Sequence, residues 1–379
     1  MNVVLTSQQR QALAEIKRWL RSGRKPFFYL AGYAGTGKTT LAKEVARFKK
    51  NVKFAAYTGK AAHVMHQKGC EGACTIHQLI YTPATETRCV AKSPCAEPPC
   101  REHCRYARQR FVGQTLKIEG DVCNADLIVV DEVSMVGREI ARDLLSFEVP
   151  ILVLGDNAQL QPIGEGAGYF TRREPDFQLT EIHRQAHDSP IIKLATRARK
   201  GLPLKHGQHG DSVVMRGLDT ANLLHSDQVI CGTHRMREYL NRTIREALGF
   251  EGDLPQVGER VVCLRNNHQK GLRNGSLWQV LEIAKLRDGF VGMTVKDENG
   301  VTAEVISPEA GFTSREGSGA DLHGQPFAFG YALTCHKAQG SQWDAVMVVD
   351  ESRYFSEPRK WLYTAITRAA EAVAVVELR

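Results

Sequence analysis

Residues 32 to 39, GYAGTGKT, carry the residue types that bind nucleotide phosphates. The segment follows an apolar run and precedes a helical pattern, which is the context that a P-loop needs. Glycines let backbone amides turn inward around phosphates, Lys38 can neutralise β and γ oxygens, and the Thr39 hydroxyl can ligate magnesium. The alternative is a chance glycine-rich turn, which the flanking elements disfavour. The residues predicted to hold the nucleotide here are Gly35, Thr36, Gly37, Lys38, Thr39 and Thr40.

A second group with phosphate chemistry lies in LIVVDE, where Asp131 and Glu132 follow an apolar run. A P-loop site needs a carboxylate at the end of a neighbouring strand, so we expect Asp131 to hold Mg²⁺ together with Thr39. Glu132 is then placed to polarise the attacking water as a general base. An isolated Asp-Glu pair is usually a solvated loop, and only its position after a strand indicates a site.

The segment ILVLGDNAQLQPIG places Gln159 in a polar loop after another apolar run. A glutamine there can hydrogen-bond both the γ-phosphate and the attacking water, so the loop would respond to hydrolysis. The alternative is a surface turn, which periodicity alone favours.

Short β-rich runs must position these groups. Each run is followed by glycine or polar residues and often by a helical pattern, which predicts two α/β lobes with ligands at the carboxyl ends of parallel strands. The runs are 27–30, 52–57, 127–131 and 151–154 in the first lobe, and 229–232, 345–349 and 372–376 in the second.

Composition limits the classes of function. With 42% hydrophobic and 24% charged residues, the 379-residue chain is typical of a globular protein large enough for two domains. No apolar run approaches the ~20 residues of a membrane span, and the first residues lack a secretory signal. We therefore expect a cytoplasmic protein without a membrane partner, whose ten cysteines are thiols or metal ligands. The net charge of +8 favours polyanionic partners.

Two stretches interrupt the α/β pattern. Residues 81–123 are rich in Cys, Pro and Arg, and we interpret them as an insertion in lobe one. Residues 256–326 contain β-like segments separated by turns such as Asn274-Gly275, which predicts a small β-barrel inserted in lobe two. In its basic loop, Arg265, Lys270 and Arg273 could contact a nucleic-acid strand, although such loops are commonly just solvated. Trp278 is more typical of core than of a stacking platform.

Eight segments resemble, in order, the motif series of superfamily 1B helicases, with the greatest likeness to RecD-like and Dda-like DNA helicases. They are GYAGTGKTT, AYTGKAAHVM, TIHQL, DEVSM, GDNAQLQPIG, LTEIHRQ, YALTCHKAQGSQWD and YTAITRA, and they span nearly the whole chain. The resemblance implies two RecA-like P-loop lobes with a Cys-rich pin insertion in lobe one and an SH3-like β-barrel insertion in lobe two. The expected boundaries are 1–80 and 124–165 for lobe one, 81–123 for the pin insertion, 166–255 and 327–379 for lobe two, and 256–326 for the SH3-like insertion.

The resemblance also implies roles for residues that no isolated pattern would single out. Gln9, in LTSQQRQAL, would contact adenine, and Gly340 would join the nucleotide cleft to the nucleic-acid contacts. Arg184 and Arg368 would reach the γ-phosphate from the second lobe, where an arginine finger is worth ~10³ to 10⁵ in rate. The nucleic-acid track would include Thr58, Lys60, His77, Thr334, His336 and Lys337.

Four cysteines in the first insertion, Cys89, Cys95, Cys100 and Cys104, have the spacing CX5CX4CX3C. This spacing differs from ordinary zinc fingers, but the segment has almost no apolar residues, and a structural Zn²⁺ would supply folding energy. Unligated or redox-active thiols and an iron-sulfur cluster are the alternatives. The following RFVGQTLKIE is interpreted as a hairpin whose tip wedges a duplex, with Phe111 stacking on the last base pair.

The resemblance thus implies an ATP-dependent and Mg²⁺-dependent DNA helicase that moves 5′ to 3′ on single-stranded DNA and opens duplex junctions. We expect a monomer with replication or recombination proteins as candidate partners. Two alternatives stay open at this point: an RNA motor of the same superfamily, because phosphate and stacking contacts discriminate poorly between RNA and DNA, and a P-loop switch that does not translocate.

Overall fold

The computed structural model describes residues 5–89, 107–117, 122–161, 168–182, 188–267, 270–286, 289–298, 300–313 and 324–378. Within these ranges the strands form two six-stranded sheets, one five-stranded sheet and one two-stranded hairpin. The predicted α/β class with two lobes is confirmed. Among the described helices, none has the length and apolar character that crossing a bilayer would require.

The first lobe is built on a six-stranded parallel sheet, as far as the described residues show. Its strands are short apolar runs because helices cover both faces. Alternate residues of one strand face opposite sides, with Tyr29 in one core and Leu30 in the other. The strand order is Cys74–Thr75, Val52–Ala56, Leu127–Asp131, Ile151–Gly155, Phe27–Gly32 and Phe177–Leu179. Helices Ile76–Ile80 and Arg138–Leu145 cover one face, and Ser7–Ser22, Lys38–Ala46 and Gly59–Gln67 cover the other.

The lobe boundary differs from the sequence prediction. Phe177–Leu179 pairs in parallel with Phe27–Gly32 and completes the first sheet, so lobe one extends beyond the predicted limit at residue 165. Asp176 fixes the entry to this strand, because its carboxylate accepts a hydrogen bond from the backbone N–H of Tyr29 at 2.8 Å. A three-residue strand is too short to give a periodic signal, which explains the error.

The second lobe has a mixed sheet. Five of its described strands are parallel, and Gly207–His209 pairs antiparallel at one edge. The order is Ala332–Thr334, Gln228–Cys231, Trp343–Asp350, Ala369–Glu377, Ser212–Arg216 and Gly207–His209. Helices Pro190–Arg199 and Pro358–Ile366 cover one face, and Thr220–Leu224 and His234–Ala247 cover the other.

A five-stranded antiparallel sheet is inserted in the second lobe. A short helix, Ala310–Thr313, lies in sequence between its fourth and fifth strands. The sheet has its own core, in which Trp278 is 3% exposed, so the prediction that Trp278 is a core residue is confirmed. The predicted end at residue 326 is wrong, because Phe327–Phe329 pairs with Arg260–Cys263 as an edge strand. An SH3-like barrel here stays a prediction. The order is Thr302–Pro308, Phe290–Asp297, Leu277–Lys285, Arg260–Cys263 and Phe327–Phe329.

Two long strands form the described part of the Cys-rich insertion. Tyr81–Cys89 pairs antiparallel with Ala107–Leu116. The prediction that RFVGQTLKIE forms a hairpin by itself is wrong, because most of this segment is one continuous strand whose partner lies upstream. Phe111 pairs with Thr85 within that strand, so it is not at a hairpin tip. The zinc prediction falls largely outside the described residues, since these exclude Cys95, Cys100 and Cys104 and the side chain of Cys89.

A buried ion pair joins the second lobe to its inserted sheet. Arg245, at the end of helix His234–Ala247, donates two hydrogen bonds of 2.7 and 3.1 Å to the carboxylate of Glu259. Glu259 is fully buried, and Arg245 also donates to the backbone oxygens of Gly252 and Leu254. These contacts hold the segment that connects the helix to Arg260–Cys263, the first strand of the inserted sheet.

We predict that Glu259→Ala destabilises the protein by about 3–5 kcal/mol, because it leaves the Arg245 guanidinium buried without its counter-ion. The measurement is the free energy of unfolding by urea, with Glu246→Ala on the exposed side of the same helix as the matched control. Equal unfolding midpoints for the two variants would contradict this account.

Candidate nucleotide site and nucleic-acid groove

The P-loop leaves the carboxyl end of strand Phe27–Gly32 and leads into helix Lys38–Ala46. Gly35 and Gly37 have φ angles of 77° and 78°, a region that favours glycine. The Lys38 ammonium donates to the backbone oxygen of Gly32 at 2.7 Å and to that of Tyr33 at 3.2 Å. The loop's own carbonyls therefore hold the lysine that the sequence assigns to the phosphates.

Gln9 lies behind the P-loop. Its Nε2 donates to the backbone oxygen of Thr36 at 3.0 Å, and its Oε1 accepts from the backbone N–H of Thr6 at 3.0 Å. Thr6 and Gln9 form a capping box at the start of helix Ser7–Ser22, because the backbone N–H of Gln9 also donates to the Thr6 hydroxyl at 3.3 Å. In this structure Gln9 supports the P-loop and caps its own helix, and its contact with adenine stays a prediction.

Asp131 and Thr39 lie together as predicted. The Thr39 hydroxyl donates to Asp131 Oδ2 at 3.3 Å, and Asp131 Oδ1 accepts from the backbone N–H of Glu132 at 2.8 Å. Burial raises the pKa of Asp131, the neighbouring Glu132 acts in the same direction, and Lys38 opposes both. A hydroxyl and a carboxylate are the oxygen ligands that Mg²⁺ prefers, so the pair fits the ion.

Glu132 directly follows strand Leu127–Asp131 and has a strained backbone conformation. Its φ of 53° is in the left-handed region, which residues other than glycine rarely adopt. A short 3-10 helix, Val133–Met135, begins directly after it. The turn directs residue 132 to the lining of the same cavity as Lys38.

The loop Asp156–Leu160 brings Gln159 to this cavity and is held by the second lobe. The Leu160 N–H donates to the Thr364 hydroxyl at 2.8 Å, and the Leu160 carbonyl accepts from Gln339 Nε2 at 2.8 Å. Gln159 is 5% exposed and lines the cavity, so the alternative of a solvated surface turn is wrong. Sequence analysis passed over Thr364, because a threonine inside a helix gives no signal of its own.

Gly340 and Arg368 close the cavity from the second lobe. The Gly340 carbonyl accepts a hydrogen bond of 2.7 Å from the Thr58 hydroxyl of the first lobe. Arg368 is 4% exposed, and its guanidinium donates to the carbonyls of Thr364 at 3.1 Å and Ser341 at 3.2 Å. Arg184 lies outside the described residues, so its predicted role stays a prediction.

The resulting cavity has a volume of about 660 Å³. It lies where the carboxyl ends of the first sheet meet the second lobe, and side chains of both signs line it. Residues of the first lobe on its wall include Gly35, Gly37, Lys38, Thr39, Thr40, Asp131, Glu132 and Gln159, and those of the second include Gly340 and Arg368.

A second cavity, which we call the groove, lies between both lobes and the inserted sheet and has a volume of about 630 Å³. The His77 ring lies between two tyrosine rings, with centroids 6.4 Å from Tyr57 and 5.6 Å from Tyr81. Cationic groups from lobe two and the inserted sheet line the same space. The residues that line the groove include Tyr57, Thr58, His77, Tyr81, Lys117, Arg273, Asn274, His336, Lys337 and Gln339.

The comparisons with known proteins assign these features to a family. Residues 4–212 match the family model described as an AAA domain, and residues 329–376 match a UvrD-like helicase C-terminal domain. The chain belongs to the superfamily 1B helicases. It is 28% identical to the ATP-dependent RecD2 DNA helicase of Deinococcus radiodurans over 379 aligned residues, which cover 90% of this chain and 46% of that protein. The helicase thus spans about half the length of this curated relative.

Solved structures show the same fold. The chain superimposes on a Pif1 helicase, from work on DNA unwinding at forked double-stranded DNA by two coordinating Pif1 helicases, at a TM-score of 0.54 and 21% identity, covering 98% of this chain and 92% of that chain. Bacteroides Pif1 bound to single-stranded DNA gives a TM-score of 0.52 and 20% identity with the same coverage. At these identities the likeness concerns the fold.

The predicted nucleic-acid residues of the helicase separate into two sets. Thr58, His77, His336 and Lys337 come together in the groove. Lys60 is placed differently, with its ammonium 4.7 Å from the centroid of the Trp343 ring.

Thr334 and His336 also have local partners. The Thr334 hydroxyl accepts from the backbone N–H of Lys337 at 3.4 Å, as a cap does. The His336 ring packs on Phe355 with centroids 5.8 Å apart, and burial lowers the pKa of His336. A neutral imidazole is therefore favoured, and it can stack or hydrogen-bond without adding charge to the groove.

Four further residues line the groove although no sequence pattern singled them out for this role: Tyr57, Tyr81, Lys117 and Asn274. Asn274 contacts Lys337 Nζ through its side-chain oxygen, so the inserted sheet reaches the second lobe here. Arg273, in the same turn, lies against Gly59 of the first lobe, where a Cβ atom would be 1.8 Å from Nη1. The Asn-Gly turn was the available signal, although it indicated a turn and no contact across the groove.

Proposed function

We propose that this helicase hydrolyses ATP between its two lobes and uses the cycle to move 5′ to 3′ along single-stranded DNA and to open duplex junctions. The observation that carries the proposal is the hydrogen bond from Thr58 to Gly340, because Thr58 lines the groove and Gly340 lines the nucleotide cavity. Gln339 makes a second connection, since it lines the groove and bonds to Leu160 in the Gln159 loop. A change in one cavity must therefore be felt in the other.

The chemistry follows from the groups around the nucleotide cavity. Lys38 exchanges its carbonyl partners for phosphate oxygens, and Glu132 accepts the proton of the attacking water. Thr39 and Asp131 would hold Mg²⁺, which supplies positive charge against the phosphates. Arg368, and in this proposal Arg184, compensate the charge that develops on the side opposite the P-loop. Closure of the lobes brings the two sides together.

The cationic side chains and aromatic rings that line the groove support single-stranded DNA as its ligand. Lysine and arginine side chains bind phosphates without reading sequence, and aromatic rings stack on any base. A structural relative, Bacteroides Pif1, is bound to single-stranded DNA, which agrees with DNA as the ligand. We assign the polarity, and the use of the hairpin Tyr81–Leu116 as a strand-separating pin, on the family resemblance.

We predict ATP hydrolysis that single-stranded DNA stimulates, together with displacement of a duplex that carries a 5′ tail. The measurements are ATPase rates without polymer, with single-stranded DNA and with single-stranded RNA, followed by strand displacement on 5′-tailed and 3′-tailed duplexes. Stronger stimulation by RNA would indicate an RNA motor, and an unchanged rate with either polymer would indicate a switch. Preference for the 3′ tail would overturn the assigned polarity.

We predict that Lys38→Ala abolishes ATP turnover while it changes the affinity for single-stranded DNA by less than about twofold, because Lys38 lines the nucleotide cavity and not the groove. Lys50→Ala, which removes an exposed lysine shortly after the same helix, is the control for net charge. Wild-type unwinding by Lys38→Ala would refute the site.

We predict that Arg273→Ala weakens single-stranded DNA binding and lowers the slope of log Kd against log salt by about one, because one phosphate contact is lost. Fluorescence anisotropy of a labelled oligo-dT at several salt concentrations measures both quantities. Lys285→Ala, an exposed lysine on another strand of the inserted sheet, is the matched control. An unchanged slope for Arg273→Ala would show that the groove does not hold DNA at this residue.

A further inference from the structure

Tyr363 carries a hydrogen-bonding group from the second lobe into the first. Its hydroxyl donates to Asp156 Oδ2 at 2.5 Å and accepts from the backbone N–H of Ala34 at 2.8 Å. Tyr363 is 2% exposed and belongs to helix Pro358–Ile366, whereas Ala34 is in the P-loop. One phenolic oxygen therefore connects the second lobe to two separate segments of the first.

The Asp156 carboxylate depends on this phenol. Asp156 is 3% exposed, and its other oxygen accepts from the backbone N–H of Ala158 at 3.0 Å. Burial raises the pKa of Tyr363 well above its usual value, so the phenol stays protonated and remains a donor. A buried carboxylate that loses one of its donors is costly, and a phenylalanine at position 363 would create that situation.

The loop that carries Gln159 is bonded to the second lobe at both ends. Asp156, at its start, is bonded to Tyr363, and Leu160, at its end, is bonded to the adjacent Thr364. The loop belongs to the first lobe by chain connectivity and to the second by these side-chain contacts. Any separation of the lobes must break these bonds or move the loop.

A neighbouring contact holds the P-loop from the same side. The Arg199 guanidinium lies 3.6 Å from the centroid of the Tyr33 ring, within the range of a cation–π interaction. Tyr33 and Ala34 both line the nucleotide cavity, so two consecutive P-loop residues are contacted by different helices of the second lobe.

We propose that Tyr363 is a positioning residue that couples the separation of the lobes to the P-loop and the Gln159 loop. With the lobes together, its hydroxyl fixes the Ala34 amide and Asp156 in one arrangement, and the γ-phosphate side of the cavity is complete. When the lobes separate, both contacts break in one step. The proposal rests on the proposed function, because it concerns how DNA in the groove affects the nucleotide cavity.

The test is the coupling factor between nucleotide and DNA, which is the ratio of the Kd for fluorescein-labelled oligo-dT without and with the non-hydrolysed analogue AMP-PNP. By thermodynamic linkage this factor also describes the effect of DNA on the analogue. Tyr363→Phe keeps the ring and removes the hydroxyl. We expect the coupling factor of Tyr363→Phe to be about tenfold smaller than that of the wild type, which is the scale of a lost charge-assisted hydrogen bond. The affinity for DNA without nucleotide should stay within about twofold of the wild-type value.

Tyr354→Phe is the matched control, since Tyr354 is an exposed tyrosine of the same lobe whose hydroxyl bonds to Arg353. It should keep the wild-type factor. Asp156→Asn approaches the same contact from the first lobe and should lower the factor, and the double variant should lower it no further than either single variant, because the two groups act as a pair. Asp156→Asn also decides the question if Tyr363→Phe does not fold.

The outcomes separate this inference from the proposed function. A wild-type factor in both Tyr363→Phe and Asp156→Asn, or fully additive effects in the double variant, would overturn the role of Tyr363 while leaving the motor intact. A wild-type protein with a factor of one and no DNA-stimulated ATP hydrolysis would instead overturn the proposed function itself.

Discussion

The structure depends on a requirement for charge compensation from two sides. A P-loop offers backbone amides and one lysine, and all of these groups belong to one lobe. A buried triphosphate also needs cationic groups on the side that faces away from the P-loop. In this chain the second lobe contributes Arg368 to the wall of the nucleotide cavity, and its core also takes in Ala158 and Leu160 of the first lobe. In the proposed function, a nucleotide in this cavity would contact both lobes at once. Every hydrogen bond between the lobes matters for this reason, because it sets how readily they separate.

Apolar packing and hydrogen bonds both join the lobes, since Ala158 and Leu160 of the first lobe are buried in the core of the second. Thr58 bonds to Gly340, Gln339 and Thr364 bond to Leu160, and Tyr363 bonds to the P-loop and Asp156. Hydrogen bonds of this kind lose most of their energy within about 1 Å of displacement, whereas apolar contacts weaken more gradually. The hydrogen bonds thus favour discrete arrangements of the lobes, while the packing of Ala158 and Leu160 holds the Gln159 loop against the second lobe. In the proposed function, a change between such arrangements would convert the presence or absence of a nucleotide into a step.

Sequence patterns predicted those parts of the site that local physics determines. The P-loop glycines, Asp131 after its apolar strand and the core position of Trp278 each follow from short-range rules, and the structure agrees. The strands Phe177–Leu179 and Phe327–Phe329 were misassigned because a three-residue strand is specified by its partner and not by its own periodicity. Gln9 is assigned to adenine by resemblance, and its spacing to Thr6 also describes the capping box that the structure shows.

The remaining residues could not be found from the sequence because their roles exist only across the lobe interface. Tyr363 and Thr364 lie in a buried helix, and its sequence does not show that their hydroxyl groups have roles beyond packing. From the sequence, a tyrosine at this position is interpreted as a large apolar core residue. The role of its hydroxyl becomes visible only in the structure, where it contacts Ala34 and Asp156, which lie more than two hundred residues upstream. The hydroxyl adds little to the packing of its own lobe, where phenylalanine would fill the same space. Its retention in a fully buried position is explained by the opposite lobe, which supplies one acceptor and one donor to a group that can satisfy both.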